Sequence, residues 1–305
     1  MVVEAAWTDL LDPDPVAVAG AVPEEIHPSA LARLQARALP NDDPRPRLES
    51  HGSHVFGVLV APLLEPEHDR IVSQEIDVLV TPDRFITVRK TPIGGTAFEC
   101  GDLRTAAQRE SASPGLCLYL LIDEIAERFL ALVDGFDNDI DDLEDVVETS
   151  RPATIRERIS GLRHDILTVR RALEPTRDST RAVLDNRVEL DGDTELFPRD
   201  VELHFADAYD KLLRATDGLD LSRDLLAGVR DYHQAQVAND QNEVMKRLTV
   251  IASVLLLPTF VVGLYGMNLR GVPEYKLHYG YAFVWSLIAV VTVAQLVYFR
   301  RKKWI

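Results

Sequence analysis

Cysteine and positive charge are both scarce in this chain. Only Cys100 and Cys117 occur among 305 residues, so the sequence offers neither a disulfide framework nor a thiolate zinc site. Lysine and arginine total 33 against 49 aspartates and glutamates, which gives a net charge of −16 at pH 7. Because binding to phosphates needs a basic surface, this balance argues against a nucleic-acid partner. The start lacks a basic flank and an apolar run, so we expect no cleavable secretory signal.

Catalytic motifs are also missing. The sequence has no nucleophile elbow, no His-Glu-x-x-His pair and no phosphate-binding glycine loop. His51 and His54 form only a weak His-x-x-His spacing for zinc. We therefore predict that the protein is not an enzyme and has no cofactor, and a membrane-tethered enzyme or receptor is the distant alternative.

Long hydrophobic runs are absent until the end of the chain, where two appear. No charged residue occurs from Leu248 to Tyr265 or from Tyr279 to Phe299. Each run can cross a hydrocarbon core of about 30 Å as a helix. Lys246 and Arg247 precede the first run and basic residues 300–303 follow the second. The positive-inside rule therefore predicts a multi-pass protein of the cell membrane with both termini in the cytoplasm.

The part before these runs predicts a cytoplasmic α+β domain. Segments rich in Val, Ile and Phe indicate strands at His54–Pro62, Glu75–Pro82 and Phe85–Lys90. A helix is predicted over His27–Leu39, with Ser29 as its N-cap.

Helical periodicity begins at Pro114. Apolar residues recur at helical spacing, and the distal end of this segment is strongly acidic. Pro152 then indicates an antiparallel return helix. The apolar positions of the first helix are Leu116, Leu120, Ile125, Phe129 and Val133.

A very long helix is predicted from Arg199 to Tyr265, because nothing but Pro258 interrupts it. Its last cytoplasmic part, Arg230–Lys246, is polar on every face, which suits a bundle with water along its axis. Its earlier part carries a buried stripe with one polar gap at Ser222. The stripe consists of Phe205, Ala208, Leu212, Ala215, Leu219, Leu226 and Val229.

The predicted architecture is an α+β cytoplasmic domain, a stalk and pore helix, and two C-terminal transmembrane helices. The segments are an α/β domain (1–113), an acidic helical hairpin (114–198), a stalk helix (199–247), a first span (248–267), an outer loop (268–278), a second span (279–299) and a basic tail (300–305).

Two helices of a single chain enclose no polar path, so a conducting path needs a ring of copies. The first span is the better candidate to line it, because small or polar residues recur on one stripe, whereas the second span is uniformly apolar. The predicted pore-lining residues are Asn242, Met245, Leu248, Ala252, Leu256, Thr259 and Gly263.

The end of the first span carries the triplet Gly266-Met267-Asn268, preceded by Tyr265 and followed by Pro-Glu in the loop. Together with the Asn-x-x-Met-Lys-x-Leu-Thr stretch from Asn242 and the basic tail, this pattern resembles the CorA family of divalent-metal transporters. The resemblance implies a funnel-shaped homopentamer in the lipid bilayer that carries Mg²⁺, and also Co²⁺ and Ni²⁺.

The resemblance also implies roles for individual residues. Gly266, Met267 and Asn268 would form the selectivity filter, where amide oxygens accept hydrogen bonds from the waters of Mg²⁺, an ion that sheds its waters reluctantly. Glu274 would gather cations at the entrance. Asp231 would hold regulatory cytoplasmic Mg²⁺.

Two further implications concern the gate and the regulatory partner. Met245 and Leu248 match the hydrophobic constriction of the family. The early helix reads Leu-Ala-Arg-Leu, so Arg33 stands near the position where the family commonly has an acid. A zinc transporter of the same architecture is the nearer functional alternative.

Overall fold

The structure, a computed structural model, describes residues 7–38, 44–65, 70–92, 95–191, 195–267 and 279–304. The chain divides into two compact units, Met1–Arg230 and Asp231–Ile305. The first contains all the strands of the described residues, and the second contains the two apolar segments.

A five-stranded sheet forms the centre of the first unit, in the order β1-β5-β4-β3-β2. β1 pairs with β5 in parallel, and the other neighbours are antiparallel. A tight turn joins β4 to β5, where the Thr81 amide donates to the Arg84 carbonyl at 2.9 Å. The strands are β1 Trp7–Leu11, β2 Arg47–Ser50, β3 Val55–Glu65, β4 Arg70–Val80 and β5 Phe85–Lys90.

Two short helices cover one face of the sheet: α1 (Pro15–Ala21) and α2 (Pro28–Gln35). The prediction of Ser29 as the N-cap of α2 was wrong. His27 is the N-cap, and its Nδ1 accepts the Ser29 backbone amide at 3.3 Å. An imidazole nitrogen thus takes the place that sequence preferences assign to a hydroxyl, and Ser29 lies inside the helix.

Longer helices pack against the other face: α3 (Gly101–Arg109), α4 (Pro114–Val146) and α5 (Pro152–Leu184). Ser113 caps α4 by accepting the Leu116 amide, and proline opens both α4 and α5. Three residues of the predicted stripe of α4, Ile125, Phe129 and Val133, are buried. At the start of the helix Leu116 and Leu120 are only half-buried, and the core positions are taken by Cys117, Leu118 and Leu121.

The long helix α6 runs from Arg199 to Gly266. All seven residues of its predicted stripe are buried, Phe205, Ala208, Leu212 and Ala215 completely. The polar gap in the stripe is also explained, because the Ser222 hydroxyl donates to Asp137 Oδ1 on α4 at 2.7 Å. Among the described residues, the helix that follows α6 is α7 (Gly280–Arg301).

Candidate functional site

Among the described residues, two helices are long and apolar enough to cross a membrane: α6, through its C-terminal part, and α7. Within the most apolar stretch of each helix, only 6% of the residues are buried. The core helix of a soluble protein would be mostly buried. The apolar surface of these two helices is therefore left exposed by the single chain. A membrane-spanning helix has such a surface because lipid or neighbouring helices bury it, whereas a core helix is buried within its own chain.

One side of the apolar part of α6 packs against α7. Gln295 on α7 donates its amide to the Ser253 carbonyl at 3.3 Å, and Val250 is buried. The Gln295 Oε1 atom is buried and has no hydrogen-bond partner among the described residues. From Leu248 to Gly266, the residues of α6 that are buried or half-buried are 250, 253, 254, 257, 258, 261 and 265.

The seven predicted pore-lining residues lie on the other side of the same helix. At about 100° per residue, their stripe is centred roughly half a turn away from the α7 side. All seven are exposed in the single chain, and Leu256 reaches 71%. The structure therefore brings these residues onto one face that α7 leaves uncovered.

Two threonine hydroxyls on or beside this face form hydrogen bonds with backbone carbonyls of α6. The Thr259 hydroxyl donates to the Leu255 carbonyl at 2.7 Å, and the neighbouring Thr249 donates to Met245 in the same way at 2.8 Å. Such back-bonding uses the hydroxyl proton and leaves the lone pairs of the oxygen pointing outward. Thr259 can therefore accept hydrogen bonds from water on the exposed face.

The predicted filter begins where α6 ends. Gly266 is the last residue of the helix, and Met267 follows it with 62% of its surface exposed. An added Cβ at Gly266 would meet nothing within 4 Å in the single chain. Asn268 and Glu274 lie outside the described residues.

Arg33, which stands where the family commonly has an acid, is engaged inside the first unit. Its guanidinium contacts Glu75 Oε2 at 2.8 Å, and Lys90 Nζ bonds to the same carboxylate. Lys90 Nζ also lies 2.7 Å from Asp77 Oδ2. Burial raises the pKa of Asp77 to about 7, against the opposing field of Lys90 and with a smaller contribution from Glu75.

This buried network escaped the sequence analysis. Glu75 and Asp77 alternate with apolar residues along β4, a pattern that favours a solvent-exposed face. Their face is instead covered by α1 and α2. The only signal in the sequence was the presence of two acids and Lys90 in neighbouring strands.

The weak His-x-x-His pair forms a stack of rings rather than a convergent ligand set. The rings of His27 and His51 lie 4.8 Å apart, and those of His51 and His54 lie 5.3 Å apart. Burial lowers the pKa of His54, and the neighbouring His51 and His27 lower it further. Within the described ranges, no group of three or more His, Cys, Asp or Glu residues is arranged to hold a metal ion.

Asp231 is exposed on α6 and is the first residue of the second unit. Its predicted regulatory role stays a prediction, as do the roles of the filter and pore-lining residues.

Comparison with known proteins agrees with this architecture. The cobalt/magnesium transport protein CorA of Thermotoga maritima is 28% identical over 284 residues, which cover 92% of this chain and 77% of the relative. The zinc transport protein ZntB of Yersinia enterocolitica is 24% identical over 238 residues, which cover 78% of this chain and 69% of the relative.

Among solved structures, the complete CorA magnesium transporter of Methanocaldococcus jannaschii has a TM-score of 0.80 at 20% identity, covering 98% of this chain and 91% of that one. This likeness confirms the predicted fold: an N-terminal α/β domain, a long helix and two C-terminal apolar helices. The model of the CorA-like Mg²⁺ transporter protein family matches residues 6–302. The chain belongs to that family of membrane transporters for divalent cations.

Proposed function

We propose that this chain forms a homopentameric channel in the cell membrane that admits Mg²⁺, and also Co²⁺ and Ni²⁺, to the cytoplasm. The observation that carries the proposal is the face of α6 opposite α7, where small and polar residues recur within an otherwise apolar helix. A ring of copies turns these faces toward a common axis, while α7 faces lipid. Both termini then lie in the cytoplasm, as the basic flanks favour.

Selection occurs at the outer end of this path. Mg²⁺ is a hard ion that gives up its waters reluctantly. A ring of Asn268 amide oxygens accepts hydrogen bonds from those waters, holding the hydrated ion less tightly than carboxylates would. Gly266 lets the backbones approach the axis, and Glu274 raises the local cation concentration at the entrance. Thr259 and Asn242 supply further neutral oxygens deeper in the path.

The gate lies at the cytoplasmic end of the first span. Met245 and Leu248 are each 58% exposed in the single chain, so a ring would place two apolar layers around the axis. A narrow apolar constriction loses its water and stops ions. The membrane potential is a sufficient driving force, because a double charge gains about 4–5 kcal/mol per 100 mV.

The central test is Asn268→Ala in vesicles containing the full chain. We expect Mg²⁺ uptake to be lost, since the methyl group accepts no hydrogen bond, while assembly is unchanged by native mass spectrometry. Asn239→Ala is the matched control, because Asn239 is an exposed amide of α6 that lies away from the pore-lining stripe, and this variant should conduct as the wild type does. Unchanged Mg²⁺ flux in Asn268→Ala would remove the basis for the filter.

Zinc transport is the second candidate, favoured by the similarity to ZntB. Flux of Mg²⁺, Co²⁺, Ni²⁺ and Zn²⁺ measured side by side in the same vesicles separates the two. We expect Mg²⁺ to be carried and to be blocked by an inert hexa-hydrated cation, because such an ion mimics a substrate that keeps its waters. Uptake of Zn²⁺ alone would replace the magnesium assignment.

A further inference from the structure

A groove between α5 and α6 has arginines along its rim. Arg163 on α5 and Arg223 and Arg230 on α6 line a cavity of about 260 Å³. Leu167 in this groove is 40% exposed. The lining also includes Asp224, which contacts Arg223 at 3.2 Å, so the basic character of the groove comes mainly from Arg163. An arginine beside an exposed leucine suits a partner surface that carries negative charge. The floor consists of Ile159, Ile166, Leu226 and Ala227.

Two arginines on this side of α5 have no ion-pair partner among the residues that the structure describes. Arg156 and Arg163 are seven residues apart, and neither forms an ion pair with a residue that the structure describes. Arg170, seven residues further on, contacts Glu174 at 2.8 Å and Asp220 at 3.5 Å. The row of arginines is therefore neutralised at one end of the groove and open at the other.

The outward face of α4 carries the complementary charge. Asp134, Asp141 and Asp145 share one face of the helix and are exposed. None of them forms an ion pair with any residue in the described ranges. Asp141 lies one turn beyond Asp137, which bonds to Ser222. Arg163 lies about two turns from Arg170, which contacts Asp220. Asp141 and Arg163 therefore lie at the same height along α6, near residues 226 and 227.

The acidic face of α4 and the basic groove lie on opposite sides of the first unit. They lie at the same level, meaning the same height along the axis of α6. α4 contacts both α5 and α6, so its outward face points away from the groove between them. The hydrogen bond between Asp137 and Ser222 fixes the level of α4 beside α6. One and two turns further on, Asp141 and Asp145 reach the level of residues 223–230, where the groove lies.

We propose that the groove binds the acidic face of α4 from a neighbouring copy of this chain. In a cyclic assembly, each contact joins one patch of a copy to a different patch of its neighbour. If the symmetry axis runs along this part of α6, the two patches meet at the same height along that axis. A helix lying in the groove between two others is an ordinary packing arrangement. This inference rests on the proposed function, because it assumes the ring.

Charge reversal with rescue tests the contact. Arg163→Glu and Asp141→Arg each place like charges opposite each other, so we expect the dissociation constant of the ring to rise roughly fivefold or more. The double variant exchanges the two charges and should return toward the wild type. Arg158→Glu is the matched control, because Arg158 is on the same helix but lines the cavity on the α4 side. Native mass spectrometry over a dilution series in mild detergent gives these constants.

A cysteine pair provides an independent measurement. With Asp141→Cys and Arg163→Cys in one chain, mild oxidation should link copies into a ladder of oligomers, whereas either single variant should not. The native Cys100 and Cys117 are buried and should not contribute.

The outcomes separate this inference from the proposed function. A wild-type ring that conducts Mg²⁺, with assembly unchanged by both single reversals and no ladder, would overturn the contact and leave the channel. A wild-type chain that is monomeric and inactive would overturn both. If Arg163→Glu instead loses binding to vesicles of anionic lipid and keeps its assembly, the groove is a lipid site and the proposal is wrong.

Discussion

Asp77 lies in an environment that is unfavourable to its charge, because burial raises its pKa to about 7. It is fully buried, and its nearest cation, Lys90, also contacts Glu75. Two carboxylates thus compete for one ammonium group inside the sheet, while Arg33 pairs with Glu75 from the outside. A buried ion pair of this kind has a desolvation cost that its mutual attraction offsets only partly.

The raised pKa of Asp77 predicts a pH dependence of stability. Its carboxyl titrates near 3.8 in the unfolded chain and near 7 in the folded one. Between these values the folded state binds more protons, so this group lowers the free energy of unfolding as the pH rises from about 4 to 7. Asp77→Asn removes the titration, and we expect that fall to disappear.

Hydrogen exchange of peptides from β4 is the appropriate measurement, because it reports on the sheet alone. Protection, corrected for the intrinsic pH dependence of exchange, should decrease between pH 4 and 7 in the wild type more than in Asp77→Asn. Asp83→Asn is the control, since Asp83 is exposed in the turn between β4 and β5. Parallel pH profiles for wild type and Asp77→Asn would contradict the prediction.

Among the elements, the contact of α4 with α6 depends on a glycine. A Cβ added at Gly218 would lie 2.7 Å from Val133 Cγ1, and the branched valine has little freedom to move away. At Gly228, on the same helix, an added Cβ meets nothing within 4 Å. The two glycines therefore differ in packing while they share the same cost to helix propensity.

Alanine at these two positions should have opposite effects. We expect Gly218→Ala to lower the free energy of unfolding by about 1–3 kcal/mol through overpacking. Gly228→Ala should raise it by up to about 1 kcal/mol through helix propensity. Urea unfolding of the full chain in detergent, followed by circular dichroism, measures both. Val133→Ala should restore the Gly218→Ala variant, and equal stabilisation by both alanines would mean that the helices are not in close contact there.

The elements also show what the sequence could and could not predict. The buried stripe of α6 was predictable because seven apolar positions keep a helical spacing with a single polar gap at Ser222, and all seven are buried. The N-cap of α2 was not predictable. Sequence preferences assign this position to Ser29, but it is the imidazole nitrogen of His27 that accepts the backbone amide. The burial of Glu75 and Asp77 was not predictable either. Alternation of polar and apolar residues along a strand shows that the two faces of the sheet differ, but it does not show which face a helix will cover.

At the scale of the whole molecule, function depends on groups that one chain does not bring together. In the proposed channel, the uncovered face of α6 and Asn268 act only around an axis shared by several copies. The net charge of −16 contributes to the proposed function, because the summed field of the chain attracts cations. The proposed regulation by those cations is thus a property of the proposed ring and not of one chain.

The last prediction concerns Asp231 as a holder of regulatory Mg²⁺ in the assembled stalk. If Mg²⁺ bridges carboxylates of neighbouring copies there, it should slow trypsin cleavage at Arg230, Lys246 and Arg247 in the wild type. Asp231→Asn removes one ligand charge and adds no cleavage site, so protection should need a several-fold higher Mg²⁺ concentration. Asp240→Asn, a change at another exposed carboxylate of the same helix, should behave as the wild type.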